Sequence, residues 1–176
     1  MRKSNYLKIA ATLAILCLAA PGILSVVFNL AAPEIFAQRS LERSGLKEVF
    51  PGAYSFKPVR EKNEIIYYKA LDRTGNILGF AFKASKRGYS SDIVTMVGMD
   101  ANGVISRIKI LQQNETPGIG AGITEKPWFQ EQFSGKRVDR LNTSVNAVTG
   151  ATISSKAVID SVRQKALEIM EKVRHG

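Results

Sequence analysis

The sequence predicts an α+β fold, in which an antiparallel sheet packs with helices, preceded by one N-terminal transmembrane helix. An uncharged apolar run covers residues 9–28. Four strand-like runs follow, joined in pairs by turn-forming residues, and the clearest helical periodicity lies near the C-terminus at 155–173. The chain contains neither an internal repeat nor a low-complexity tract, so its 176 residues suit one domain and an appendage.

The N-terminal apolar run has the length of a membrane span. Ile9 to Phe28 is twenty residues without a charge, which matches a hydrocarbon core of about 30 Å. Pro21 and Gly22 lie in mid-run, where membrane helices tolerate them. A cleaved signal peptide is one alternative, but its apolar region is usually about 7–15 residues. A lipoprotein signal is the other, but a leucine rather than a small residue precedes Cys17. We therefore predict an uncleaved anchor.

We divide the chain into a cytoplasmic tail and transmembrane helix at residues 1–33 and an extracytoplasmic domain at residues 34–176. Basic residues are usually more frequent on the cytoplasmic side of a span, but here three precede the span and three follow it closely, so their number does not decide the orientation. The positive charge of the free N-terminal amine, and the shorter distance from the three preceding residues to the span, favour an N-terminus in the cytoplasm. These basic residues are Arg2, Lys3 and Lys8 before the span, and Arg39, Arg43 and Lys47 after it.

Most of the net charge of +10 belongs to the domain. Three basic residues precede the span, which leaves +7 after Pro33. A basic domain beside a bilayer suits anionic headgroups or an acidic partner. Nucleic acid is disfavoured as a partner, because the basic residues are dispersed among 15 carboxylates. We interpret the densest basic group, Lys83, Lys86 and Arg87, as an ordinary solvated face.

The first part of the domain is predicted to form a helix and two hairpins. Residues 34–49 read as a helix that ends at a Pro-Gly pair. Strands at 64–71 and 77–84 flank a turn-rich segment and should pair. Strands at 93–99 and 104–111 flank an Asn-Gly turn and should also pair.

The segment between the second hairpin and the last helix is harder to interpret. Residues 127–133 predict a short helix stopped by Gly135, with Trp128 and Phe129 in the core. Residues 137–146 are polar and predict a loop.

A hydroxyl-rich segment leads into the last predicted helix. Residues 149–155 hold four hydroxyl side chains in seven positions, together with Gly150 and Ala151. A hydroxyl at a helix start can cap the helix, or it can contact a phosphate that the backbone N–H groups already favour. The two small residues let N–H groups approach such a phosphate. The residue types alone leave both interpretations open.

A second motif is the loop Glu115-Thr116-Pro117-Gly118-Ile119-Gly120. Pro117 fixes one backbone angle, and the two glycines permit a positive φ or the close approach of a ligand. A plain turn would use the same residues.

The two motifs together resemble the signatures of the FMN-binding domain family. Thr149-Gly150-Ala151-Thr152, followed by a serine pair, resembles the family's flavinylation motif, and the Glu115 loop resembles its Glu-Thr-Pro-Gly-x-Gly signature. They stand in the family's order, roughly thirty-five residues apart. The family includes the G subunit of Rnf complexes and the C subunit of sodium-pumping NADH:quinone reductases. The resemblance covers about residues 34–176.

The resemblance implies that Thr152 carries FMN through a phosphoester bond. A flavin transferase would attach the group from FAD with a metal ion, since an unactivated threonine is a poor nucleophile. Thr152 would then be a substrate of that enzyme, and the chain would hold no metal of its own. The remaining expected cofactor-binding residues are Thr149, Gly150, Ala151, Ser154 and Ser155 at the phosphate, Glu115, Thr116, Gly118 and Gly120 at the ring, and Tyr89, which either packs on the ring or fills the core.

Three positions depart from the family pattern. Asn146 stands where many relatives have Asp, six residues before the acceptor, and Ser90 and Ser91 replace glycines. The first change predicts slower modification, and the other two predict a less close backbone approach to the flavin. None of the three affects the acceptor hydroxyl.

The resemblance implies an electron-transfer subunit of an Rnf-type ion-translocating ferredoxin:NAD oxidoreductase. The domain would lie on the outer face of the cytoplasmic membrane, with other membrane subunits as partners. The chain has no GxGxxG motif, a single cysteine, and one histidine at position 175, so it predicts a relay and not a complete enzyme. The alternatives are a C subunit-like role in a quinone reductase and a non-redox anchored module that binds FMN.

Overall fold

The computed structural model describes residues 40–175, and the side chain of the last of these is left aside. Residues from Leu41 onward form one compact unit. The predicted span at 9–28 lies outside the described residues. Within them, no helix is both long and apolar enough to cross a bilayer.

The domain is built on a five-stranded antiparallel sheet, as the predicted α+β class requires. Its strands follow one another in chain order, so each neighbouring pair is a hairpin. Both predicted hairpins are confirmed, and the middle strands pair with each other as well. The first strand was not predicted, because most of its side chains are exposed and a proline interrupts it. The strands are β1 Ser55–Glu61, β2 Glu64–Leu71, β3 Ile77–Arg87, β4 Asp92–Met99 and β5 Ile105–Gln112.

The helices begin with α1 at residues 40–49 and end with a long helix at the C-terminus. The prediction of a loop at 137–146 is wrong, because Val138 and Leu141 are buried and fix a helical turn there. The last helix starts three residues earlier than the sequence predicted. After α1 come α2 Gly122–Glu125, α3 Pro127–Glu131, a 3-10 turn Val138–Arg140, α4 Leu141–Ser144 and α5 Thr152–His175.

The two faces of the sheet are covered by different helices. The main core lies under α5 and includes Phe82, Phe129 and Ile169, all fully buried. A smaller core on the opposite face packs α1 against the sheet. Phe129 is thus a core residue as predicted. The same prediction for Trp128 is wrong, because neighbouring positions of a five-residue helix face different ways and this side chain is 42% exposed.

Loss of the Phe82 ring should show how much the main core contributes to stability. Phe82→Ala leaves a cavity in the centre of β3, and we expect the free energy of unfolding to fall by about 3–5 kcal/mol. Tyr54→Ala is the matched control, since its ring is 72% exposed and its loss should change stability by less than about 0.5 kcal/mol. Urea unfolding followed by circular dichroism measures both. If both variants lost equally little free energy of unfolding, this assignment of the core would be contradicted.

Candidate functional site

The Glu115 carboxylate joins three segments that are distant in the sequence. Its oxygens accept backbone N–H groups from Tyr89 at 3.0 Å, Ser90 at 3.1 Å and Ser91 at 2.8 Å, all in the turn between β3 and β4. The Ser154 hydroxyl donates to the same carboxylate from the first turn of α5. Glu115 itself lies in the loop after β5 and is only 6% exposed. One buried anion therefore holds the turn, the loop and the helix together, and we call these the three clamped segments.

The hydrogen bonds to Glu115 determine its charge state. Burial by itself raises the pKa of this carboxyl group. The bonds from Ser154 and from the backbone of the turn outweigh burial, and the pKa falls from 4.5 to about 2. The group is consequently an anion at neutral pH, with its acceptor capacity directed into the protein.

Two glycines let the chain close around this carboxylate. A Cβ atom at Gly88 would lie 2.6 Å from Ile93 Cδ1 and 2.8 Å from Glu115 Oε1. A Cβ atom at Gly120 would collide with Glu115 Oε2 and lie 2.8 Å from Ser154 Oγ. The sequence suggested that Gly120 permits the approach of a ligand. In the structure the close approach is to the protein's own carboxylate.

The two sequence motifs meet at their glycines. Gly118 and Gly150 have φ angles of +74° and +84°, which side chains of L-residues rarely adopt. A Cβ atom at Gly150 would lie 3.5 Å from the carbonyl oxygen of Gly118. The carbonyl of Thr116 fixes the conformation of the loop around Gly118, since it accepts the N–H groups of residues 119, 120 and 121 at 2.9–3.2 Å.

The hydroxyl groups at the start of α5 divide into two sets. Thr149 and Thr152 are exposed, whereas Ser154 and Ser155 are fully buried. Ser155 accepts the N–H of Val148 at 3.0 Å, so its hydroxyl fixes the segment before the helix. Both hydroxyls thus hold hydrogen bonds inside the protein, and a role for either serine at a phosphate stays a prediction. Thr152, the first residue of α5, remains accessible.

Exposed apolar side chains surround this helix start. Tyr89, Ile119 and Ile153 are 52%, 44% and 59% exposed, and each comes from one of the three clamped segments. Tyr89 is thus not the core residue that the sequence allowed it to be. Since most large apolar side chains of the domain are buried, the exposure of these three is unusual in it.

Gln132 is a site residue that sequence reasoning missed. Its side-chain amide accepts the N–H of Asn146 at 3.0 Å and donates to the carbonyl of the same residue at 3.1 Å. These two hydrogen bonds hold the backbone at Asn146, three residues before the motif at 149–152. The Gln132 side chain reaches Asn146 from fourteen residues away, and no local pattern signals such a contact.

The site suits a phosphate-bearing ligand better than a metal ion. The first helical bond of α5 runs from the N–H of Ser155 to the carbonyl of Ala151 at 2.8 Å, so three N–H groups precede it. The first turn of α5 holds no acidic residue. Among residues 40–175, no three His, Cys, Asp or Glu side chains are grouped to hold a metal. An exposed hydroxyl, free N–H groups and nearby apolar surface fit the parts of FMN.

The pKa of Glu115 predicts how stability depends on pH. A folded-state pKa below the unfolded value stabilises the protein above about pH 4.5, and this contribution is lost as the pH falls towards 2. The shift corresponds to about 3 kcal/mol. Urea unfolding at a series of pH values measures it, with Glu115→Gln as the comparison. If the variant lost stability on acidification as steeply as the parent, the carboxylate would not be the group responsible.

Comparisons with known proteins agree with this geometry. The FMN-binding domain model matches residues 88–167, which include every expected site residue. The G subunit of the ion-translocating oxidoreductase complex of Methanosarcina acetivorans is 28% identical over 169 residues, which are 88% of this chain and 89% of the relative. The G subunit of the proton-translocating ferredoxin:NAD(+) oxidoreductase complex of Clostridium ljungdahlii is 27% identical, with 95% and 93% of the two chains covered.

A solved structure supports the fold. The crystal structure of Shewanella oneidensis NqrC aligns with a TM-score of 0.50 and 18% sequence identity, over 70% of this chain and 74% of that one. Residues 88–167 of the chain therefore match the FMN-binding domain family, and the chain is similar over most of its length to the G subunits of ion-translocating oxidoreductase complexes.

Proposed function

We propose that this chain carries FMN in phosphoester linkage to Thr152 and passes electrons within an Rnf-type ion-translocating ferredoxin:NAD oxidoreductase. One observation carries the proposal. Thr152 is the exposed hydroxyl at the start of α5, whereas the two serines that follow it are turned inward. The exposed alcohols of this motif are thus Thr149 and Thr152, and Thr152 is the one at the helix start.

The start of α5 would hold the phosphate. The N–H groups of Thr152, Ile153 and Ser154 precede the helical hydrogen bonds, and the helix dipole favours negative charge at this end. Lys156 is exposed one turn further on and adds positive charge nearby. Thr149 and the backbone of Gly150 complete the exposed polar surface beside the acceptor.

The isoalloxazine ring would lie against the exposed side chains of Tyr89, Ile119 and Ile153. Glu115 would not bind the ring, since its oxygens already accept several hydrogen bonds within the protein. It positions the three segments instead, and its negative charge disfavours anionic forms of a nearby flavin.

Attachment would require a separate enzyme. An unactivated threonine hydroxyl is a weak nucleophile, and no histidine among the described side chains can activate it. A flavin transferase that supplies a base and a metal ion would transfer the FMN half of FAD to the Thr152 oxygen and release the AMP half. The domain's part is to present the alcohol.

The proposal includes an arrangement at the membrane. Residues 1–33 would form a cytoplasmic tail and a single span, and residues 34–176 the domain on the outer face of the cytoplasmic membrane. Other membrane subunits would be the partners that deliver and accept electrons, and nucleic acid would not be a ligand. The names of the relatives favour an Rnf-type assembly over a sodium-pumping quinone reductase.

Replacing the acceptor tests the covalent link. In cells that also make the transferase, Thr152→Ala should abolish flavin fluorescence of the denatured, electrophoresed chain, because no alcohol remains to be esterified. Thr143→Ala is the matched control: it removes an exposed threonine outside both motifs and should retain the fluorescence. Thr152→Ser, which restores an alcohol, should also retain it.

Intact mass gives the complementary readout. The parent chain should carry one FMN less one water, and Thr152→Ala should carry none. Fluorescence that persists in Thr152→Ala, or an unmodified parent beside a working transferase, would refute the assignment.

The orientation can be tested with a single accessible thiol. Asn142 is exposed in the domain. Asn142→Cys in a Cys17→Ser background should react with a membrane-impermeant maleimide in intact spheroplasts, because the domain lies outside. Labelling that needs cell lysis would place the domain in the cytoplasm and overturn this part of the proposal.

A further inference from the structure

The segment that leads to Thr152 is shaped by few backbone hydrogen bonds. Residues 146–151 lie outside every helix and strand. The N–H of Val148 donates to the Ser155 hydroxyl at 3.0 Å, and the carbonyl of Val148 accepts the N–H of Ala151 at 2.9 Å. The carbonyl of Ala151 accepts the N–H of Ser155 at 2.8 Å. These bonds fold the segment locally and tie it to α5 alone.

Gln132 supplies the attachment to another element. Its side-chain amide accepts the N–H of Asn146 at 3.0 Å and donates to the carbonyl of the same residue at 3.1 Å. Among the hydrogen bonds within residues 40–175, these two are the ones that join 146–151 to an element other than α5. A glutamine amide has its donor and its acceptor in one plane, so it pairs with one residue's N–H and C=O as a neighbouring strand would.

The amide is carried on a rigid support. Gln132 directly follows the last residue of α3, and it lies between Phe129 and Phe133, which are both fully buried. The two rings pack edge to face, with their centroids 5.6 Å apart. The main core therefore fixes the backbone at Gln132, and the amide transfers that fixed position to Asn146.

The pair of residues lies at the surface and contributes little to the core. Asn146 is exposed, and Gln132 is only partly buried. The apolar side chains that hold this part of the chain are Val145 and Val148, which are 7% and 1% exposed. Loss of the amide would leave these apolar contacts in place and would release the backbone at Asn146. The amide thus acts on the conformation of the segment more than on the stability of the fold.

We propose that Gln132 is a positioning residue for the attachment of FMN, because it holds residues 146–151 so that Thr152 meets the flavin transferase in one conformation. This role rests on the proposed function. In that transfer the Thr152 oxygen bonds to the FMN phosphorus of FAD, the pyrophosphate bond breaks, AMP leaves, and a base of the transferase takes the hydroxyl proton. Gln132 takes no part in the transfer itself. It sets the fraction of chains whose acceptor already has the reactive geometry, and that fraction sets the apparent affinity of the enzyme.

Steady-state flavinylation of the full chain in detergent, with purified transferase and FAD, tests this role. Gln132→Met keeps the length of the side chain and removes both hydrogen bonds. Its KM should rise about fivefold or more while kcat stays within about twofold, because the enzyme selects the chains that remain competent. Gln164→Met is the matched control, since that glutamine is exposed on α5, and it should leave both constants unchanged. An unchanged KM for Gln132→Met, whatever its kcat, would overturn the proposal.

Two further measurements separate positioning from a general loss of structure. Thermal unfolding of Gln132→Met should stay close to that of Gln164→Met. The amides of Val148 and Ala151, which do not bond to Gln132, should exchange about fivefold faster in Gln132→Met, whereas the amides of β3 should not change. Faster exchange across β3 would mean that the variant loosens the whole fold, and the positioning role would be wrong. If Gln132→Met does not fold, Gln132→Asn replaces it, because its amide is one methylene too short to reach both groups.

The parent chain separates this role from the proposed function. If the parent accepts flavin and Gln132→Met has the KM of the parent, the positioning role is refuted and Thr152 stays the acceptor. If the parent accepts no flavin from a transferase that modifies another acceptor, the Thr152 assignment is refuted and the positioning role with it.

Discussion

The structure of the candidate site depends on one buried carboxylate. Glu115 accepts hydrogen bonds from the β3–β4 turn and from Ser154 at the start of α5, while its own backbone belongs to the loop after β5. The turn and the loop lie outside the helices and strands, and these bonds hold both of them against the start of α5. The favourable hydrogen bonds outweigh the penalty of burying the charge, as the lowered pKa of Glu115 indicates. The site is thereby preorganised, and the glycines around it are consequences of the space that the carboxylate occupies.

The sheet illustrates how local chemistry predicts local structure. Gly103 has a φ of +78°, and the Asp100 carboxylate accepts the N–H groups of Asn102 and Val104, so the Asn-Gly signal correctly indicated the second hairpin. β1 escaped prediction because an exposed outer strand shows little apolar alternation. The turn at 138–144 escaped because two buried side chains three residues apart are too few to establish a period.

The two motifs were recognisable in the sequence, but the contacts that their residues make within the protein were not. The two motifs were found from their residue types and spacing, and in the structure a Cβ atom at Gly150 would lie 3.5 Å from the carbonyl oxygen of Gly118. The inward direction of the Ser154 and Ser155 hydroxyls was not predictable, because the partner of Ser154 is 39 residues away. The same limit applies to the contact between Gln132 and Asn146. Each of these contacts depends on the tertiary structure, which brings distant parts of the chain together. Composition and periodicity do not predict such contacts.

The contrast between the inward serines and the outward threonine has a consequence for biogenesis. The buried hydroxyls at the start of α5 are satisfied by other groups of the same polypeptide, so their hydrogen bonds require no bound ligand. Under the proposed attachment at Thr152, folding would precede modification, and the modifying enzyme would act on an acceptor site that is already folded. Under the same proposal, a cell short of riboflavin would accumulate folded subunits that carry no flavin.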